Sequence, residues 1–244
     1  MSYQTNWGEI WPWIPLLLRG LRTTLVLCVV AILLTMIVAL PLALMRMSRF
    51  KAMQFLAGVL IAISRSVPLY VFLLWLFYGL PLFVGIDMSP VTAGIITLVV
   101  QFSAFQAEAY RSGLLVVAKG QREAALAVGL SAAQTFFHVV LPQALRVAVP
   151  PTGNNLISMF KATSVLAVIG VVEVTRLTQS LVGTTGRPLE FYTVLTVIYI
   201  VGVGMMTAGM GWYERATRLS HETNGPKSRI RRQVPEERQQ AIQS

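Results

Sequence analysis

QREAALAVGLSAAQTFFHVVLP, residues 121–142, lies between hydrophobic runs long enough to cross a bilayer, yet it carries the marks of folded helical structure. Gln121–Val128 is rich in alanine and leucine, which favour helix. Gly129 can take the left-handed conformation that ends a helix. Ser131 with Gln134 three residues on forms the pattern of a capping box, which predicts a second helix through Phe136, Phe137 and Leu141. Pro142 is expected to disturb the later part of that helix, because it has no N–H to donate. A short helix closed by glycine, offering Ala124 and Ala125 with Glu123 as a charged contact, fits a groove on another protein. The alternative is an ordinary amphipathic loop.

The rest of the chain gives the loop its setting. Charged residues make up 12% of the 244 residues and hydrophobic ones 55%, whereas a soluble domain has about 25% charged residues. So much apolar surface cannot be hidden in one core beneath a wettable exterior. Five segments have the about 20 apolar residues that a crossing needs: 23–45, 53–84, 90–110, 150–174 and 190–213. The predicted class is therefore an all-α, polytopic membrane protein with about five transmembrane helices. The second segment is too long for one straight span and contains Arg65 and Pro68, so it either kinks there or begins at the interface. Pro150-Pro151 suits the first turn of the fourth helix. Gly202, Gly204, Ala208, Gly209 and Gly211 let the fifth approach other protein closely, by ordinary packing or along a dimer seam.

The first apolar run, after Arg22, exceeds the about 7–15 residues of a signal core and is expected to be retained. Residues 1–22 then form an interfacial segment, with Trp7, Trp11 and Trp13 as its aromatic belt. Fourteen of the twenty basic residues follow the first, third and fifth spans. By the positive-inside rule the N-terminus is outside and the C-terminus cytoplasmic, and the 121–142 loop faces the cytoplasm. The domain reading is 1–22 interfacial, 23–214 transmembrane with a loop at 112–148, and 215–244 a disordered basic tail. The net charge of +10 follows from this topology and implies no nucleic-acid partner. The single cysteine, Cys28, excludes a disulfide framework or cysteine-based metal site.

Glu123-Ala124-Ala125, Gly129 and Val139-Val140-Leu141-Pro142 together resemble the EAA loop of membrane subunits of ATP-binding-cassette (ABC) importers. Arg65-Ser66-Val67-Pro68-Leu69, Glu108-Ala109-Tyr110-Arg111-Ser112-Gly113, Gly120-Gln121-Arg122, Leu141-Pro142-Gln143-Ala144 and Phe160-Lys161-Ala162-Thr163-Ser164 are similar to the permeases of the polar-amino-acid uptake group. The similarity spans most of residues 20–215. Val139, where isoleucine is common, and Ala162 are modest departures. The resemblance implies a MetI-like permease fold in a bacterial cytoplasmic (inner) membrane, pairing with an identical or sister permease. It also implies a dimer of ABC ATPase subunits below and an extracytoplasmic amino-acid-binding protein above. In that reading Glu123, Ala124, Ala125, Gly129, Leu141 and Pro142 form the ATPase-coupling element. The chain shows no G-x-x-x-x-G-K-[ST] phosphate loop, so ATP and Mg are expected on the partner and no catalytic site or metal on this chain.

Charged residues within spans are costly and face a partner or a water-filled path. Lys161, with Thr163, Ser164 and Asn155 nearby, is a candidate for holding an amino acid's α-carboxylate. The alternatives are that it snorkels or pairs with Glu108. Glu108 and Arg111 can pair along one helix face, as a structural pair or inner gate, and Arg65 has the same two readings. Glu173 and Glu190, near outer span ends, are candidates to meet the binding protein. The competing function is an ATP-independent secondary transporter or channel for a small polar solute, in which duplicated halves and matching broken helices would be expected.

Overall fold

A computed structural model of the chain describes residues 4–116 and 119–222, and all regular structure among them is helical. The chain divides into two units, residues 1–207 and 208–244. Among the described residues the second unit is the final stretch of the last helix, and the packing and cavities described below belong to the first.

Three helical stretches are long and apolar enough to cross a membrane: Trp7–Arg46, Pro90–Leu115 and Pro188–Arg215. Two bent pairs, Lys51–Ser66 with Leu69–Val84 (100°) and Ala132–Ile169 with Val174–Thr185 (48°), raise the number to five if each pair is one span. A 3-10 turn, Trp7–Trp13, leads into α1 (Ile14–Arg46). This helix starts nine residues before the predicted span. Arg19 and Arg22 do not stop it, because both lie on its exposed side while Leu17, Gly20 and Thr24 are buried.

Helix α2 (Lys51–Ser66) ends where Val67 is extended (φ −83°, ψ 128°). That is the conformation the following Pro68 imposes on its neighbour, and the 100° bend follows. Gln101 Nε2 donates to the Val67 carbonyl at 2.9 Å, covering a polar group the bend exposes. Beyond it come α3 (Leu69–Leu74), a π-helical turn at Trp75–Gly79, and α4 (Leu80–Val84). A second π turn, Phe136–Val140, precedes Pro142 as the first precedes Pro81. In both places the proline cannot donate to the carbonyl four residues back, and its ring crowds that carbonyl. Widening to i→i−5 bonds, Leu80 N–H to Trp75 O and Leu141 N–H to Phe136 O, keeps the helix going.

Helix α5 (Pro90–Val116) is the central element and packs against α1 and against α8 (Leu141–Ala162). Leu27, Leu73, Leu98, Phe102, Met159 and Leu166 make the main buried cluster. The α5–α8 approach is close: a Cβ on Gly113 would stand 2.5 Å from the Ala144 carbonyl oxygen. Between α5 and α8 lie α6 (Lys119–Ala127) and α7 (Ala132–Thr135). Pro150-Pro151 corrects the expectation above. Both lie inside α8, which starts at Leu141 with Pro142 in its first turn. Proline already holds a helical φ, and the buried Ala144, Ala148 and Gly153 carry the helix through despite the missing donors.

After α8 a 3-10 stretch, Thr163–Ile169, stops at Gly170. A helix the sequence reading missed follows, α9 (Val174–Thr185), capped by the Glu173 carboxylate and closed by Gly186. The last helix, α10 (Pro188–Glu222), runs past the predicted span end, so residues 215–222 of the expected tail are helical. Residues 223–244 of that tail lie outside the described residues.

Candidate coupling loop and polar cavities

The loop is built by local hydrogen bonding. Gly129 sits at φ +88°, a conformation that glycine tolerates without a Cβ penalty. Around it the Leu130 N–H reaches the Ala125 carbonyl (3.2 Å) and the Gly129 N–H reaches Leu126 (3.0 Å), the paired bonds of a Schellman closure. Ser131 and Gln134 then exchange both bonds of the capping box, at 3.2 and 2.9 Å. Glu123, Ala124 and Gly129 are exposed, while Leu141 and Pro142 are half-buried at the start of α8. Ala125 corrects the expectation that it is presented with Ala124: it is 7% exposed. At about 100° per residue, it turns inward when Ala124 faces out. The apolar surface offered outward belongs instead to Leu126, Val128 (80% exposed) and Phe137.

The predicted path residues do not form one cluster. Asn155 and Lys161 are six residues apart on α8, which leaves their side chains about 120° apart around the helix. Lys161 and Ser164 line a cavity of about 510 Å³ with Tyr199, Ile200, Val203 and Gly204 of α10. The Ser164 hydroxyl is turned to the Lys161 carbonyl (2.8 Å). Tyr199 is held by its hydroxyl against Thr175 (3.2 Å) and by its ring against Phe160. Thr163 is fully buried and donates to the Phe160 carbonyl, so it faces neither cavity.

Asn155 lines a second cavity of about 310 Å³ with Leu69, Gln101, Phe102, Phe105, Ser158 and Ala162. Its amide donates to Gln106 Oε1 (3.2 Å), and Gln106 Nε2 donates to Thr152 (2.7 Å). The oxygen of Gln101 is buried without a hydrogen-bond partner. The sequence reading passed over Gln101 and Gln106, though two glutamines in an apolar span were a signal. The Arg65 guanidinium stands 5.0 Å over the Phe105 ring, near enough for a cation–π contact. Glu108 pairs with Arg111, whose Nε lies 2.9 Å from Oε1, as the spacing predicts, and not with Lys161.

Glu173 and Glu190 are both fully buried, which corrects their reading as contacts for a binding protein. Glu173 accepts from the Thr24 hydroxyl of α1 (3.2 Å) and from the Arg176 N–H (2.8 Å). Glu190 accepts from the Asn6 N–H (2.9 Å) beside Arg187, which also binds Glu9. Burial without pairing would be prohibitive for a carboxylate, and at these helix ends a donor was within reach.

A helical bundle of membrane-spanning length, with an exposed capped loop and cavities between its helices, has the architecture of a multi-pass membrane protein. Residues 31–219 match the family described as binding-protein-dependent transport system inner membrane component, and the chain belongs to that family. It is 36% identical over 199 residues to the glutamine transport system permease protein GlnP of Escherichia coli (strain K12), covering 81% of this chain and 91% of that one. It is 37% identical over 205 residues to the L-cystine transport system permease protein TcyL of Bacillus subtilis (strain 168), covering 82% and 86%. A solved chain of an amino acid ABC transporter, from a crystal structure with histidines, aligns with TM-score 0.82 at 32% identity, over 88% of this chain and 100% of that one. The inward-facing methionine ABC transporter MetNI shares the fold at TM-score 0.71 and 23% identity, over 84% and 97%. The expected all-α, MetI-like permease fold is thus observed, and the chain is a permease subunit of an ABC importer.

Proposed function

We propose that this chain forms half of the translocation path of an ATP-driven amino-acid importer in a bacterial cytoplasmic (inner) membrane. Its N-terminus is outside and its C-terminus cytoplasmic, which puts the 121–142 loop on the ATP side. The observation that carries the reading is the exposed, doubly capped loop. Glu123 and Ala124 with Leu126, Val128 and Gly129 make a rigid, partly apolar knob with no use in a self-contained carrier. Leu141 and Pro142 join that knob directly to α8, so a pull on it is transmitted to the helix bearing Asn155 and Lys161. Ala125 contributes from the inside, through the carbonyl that closes the first helix.

The partners in this reading are a dimer of ABC ATPase subunits, a second permease, identical or sister, and an extracytoplasmic amino-acid-binding protein. ATP and Mg are held by the ATPase, where hydrolysis resides. The names of relatives that carry glutamine and L-cystine support amino acids as cargo. Lys161, which lines one of the cavities, offers a cation for an amino acid's carboxylate.

The test is mild-detergent purification of the tagged chain from its native membrane, with an ATPase assay. A co-purifying ATPase that is lost on Glu123→Arg is the expected result. Isolation alone, with transport in liposomes that needs no ATP, would replace the proposal with the secondary transporter. Lys161→Met should abolish uptake with the complex intact; loss of assembly instead would make Lys161 a structural residue.

A further inference from the structure

The corner between α1 and α2 gathers three basic residues within six positions. Arg46 closes α1, residues 47–50 turn, and Lys51 opens α2, with Arg49 between them. No aspartate or glutamate occurs from residue 10 to residue 86. Among the described residues none of Arg46, Arg49 and Lys51 forms an ion pair. Arg46 lies across Gly58 of α2, where an added Cβ would stand 3.4 Å from its guanidinium carbon. Glu108, the acid that senses its charge, is already engaged by Arg111. The corner therefore keeps an excess of positive charge that nothing described in this chain neutralises.

The same corner exposes large apolar groups. Phe50 is 60% and Phe55 74% exposed, and Met53 and Leu56 stand beside them. The Arg49 guanidinium sits 5.7 Å from the Phe50 ring centroid. Helix α2 packs on α1 and α5 but buries only Ala57 and Ile61, so most of its apolar surface faces away from the bundle. Cations beside exposed aromatic and aliphatic groups at a helix start are the chemistry that meets both the headgroup and the acyl region of a leaflet.

We infer that this corner is a binding site for anionic phospholipid of the cytoplasmic leaflet. The phosphate is held by Arg46, Arg49 and Lys51, and the chains lie against Phe50, Met53 and Phe55. The side of the membrane rests on the orientation proposed above, but the chemistry does not. The exposed apolar groups favour lipid over an acidic protein surface, which would meet the cations without needing Phe55.

The test is native mass spectrometry of the full chain, delipidated in detergent and titrated with dioleoylphosphatidylglycerol or dioleoylphosphatidylcholine. Each basic residue near an anionic surface is worth roughly fivefold in affinity, so the wild type should prefer the glycerol lipid. The preference should collapse in R46Q/R49Q/K51Q and survive in the charge-keeping R46K/R49K, which also reports on folding. R19Q/R22Q, at the other end of α1, should leave it unchanged. Equal binding of the two lipids, or a preference that survives the triple variant, overturns the site. A triple variant that keeps the lipid preference but loses a co-purifying ATPase would make the corner a protein contact. The importer reading fails separately, through Glu123→Arg, so the two failures are distinguishable.

Discussion

The loop at 121–142 leads into α8, which lines the two cavities, yet loop and cavities are held in opposite ways. In the loop every defining bond joins residues no more than five apart: Leu130 to Ala125, Gly129 to Leu126, Ser131 to Gln134. At the cavities the bonds span the fold: Asn155 to Gln106 across 49 residues, Gln101 to Val67 across 34, Thr175 to Tyr199 across 24. The loop is thus a prefabricated part whose shape does not depend on the packing of the bundle. The cavities exist only while α5, α8 and α10 stand where they do. In the proposed function this division is useful, since a rigid handle can reshape a soft path.

The largest expected effect lies on the bundle side. Gly113→Leu drives a side chain into the Ala144 carbonyl and should cost about 3 kcal/mol through overpacking. Thermal denaturation in detergent should show a lowered midpoint, with uptake lost along with the fold. Asn155→Leu comes next. It removes the donor to the buried Gln106 oxygen and should cost about 2 kcal/mol. Asn155→Asp, which keeps an oxygen but repels that acceptor, should be no better in the same melt.

On the loop side Gly129→Val forces a β-branched residue into the left-handed region at φ +88°, at about 1–2 kcal/mol. The chain's melting midpoint should barely move, while ATP-driven uptake falls roughly tenfold. If Gly129→Val lowered the midpoint as much as Gly113→Leu, the loop would not be an independent part. The smallest effect is Ser131→Ala, which removes one half of the capping box for about 1 kcal/mol. A few-fold drop in ATPase co-purification, partly restored by Ser131→Asp, would be the sign of it.

Legibility followed the same division. Gly129, Ser131 and Gln134 could be assigned their places because capping depends on residue type and spacing alone. The bend at Pro68 was legible for a similar reason, as proline restricts its own neighbour. The start of α8 was misread, because two adjacent prolines look like a helix beginning. Only the packing of Ala144 and Ala148 against α5 makes an interior site tolerable. Ala125 was assigned outward because the pattern of small residues does not say which way a short helix is rolled. Helix α9 was passed over although Glu173 and Gly186 bracket it, since a twelve-residue amphipathic segment is too short to stand out beside membrane spans.

The amino-acid sequence by itself determined the class of this protein, the number of its apolar segments and the shape of its 121–142 loop. These depend on transfer of apolar groups out of water and on hydrogen bonds between near neighbours, both of which are written along the chain. Only the tertiary structure decided that Asn155 and Lys161 face different cavities, and that Glu173 and Glu190 are buried. It also decided that Glu108 answers to Arg111 rather than to Lys161. Those facts depend on how helices far apart in sequence are rolled and spaced against one another, which the packing of the bundle sets.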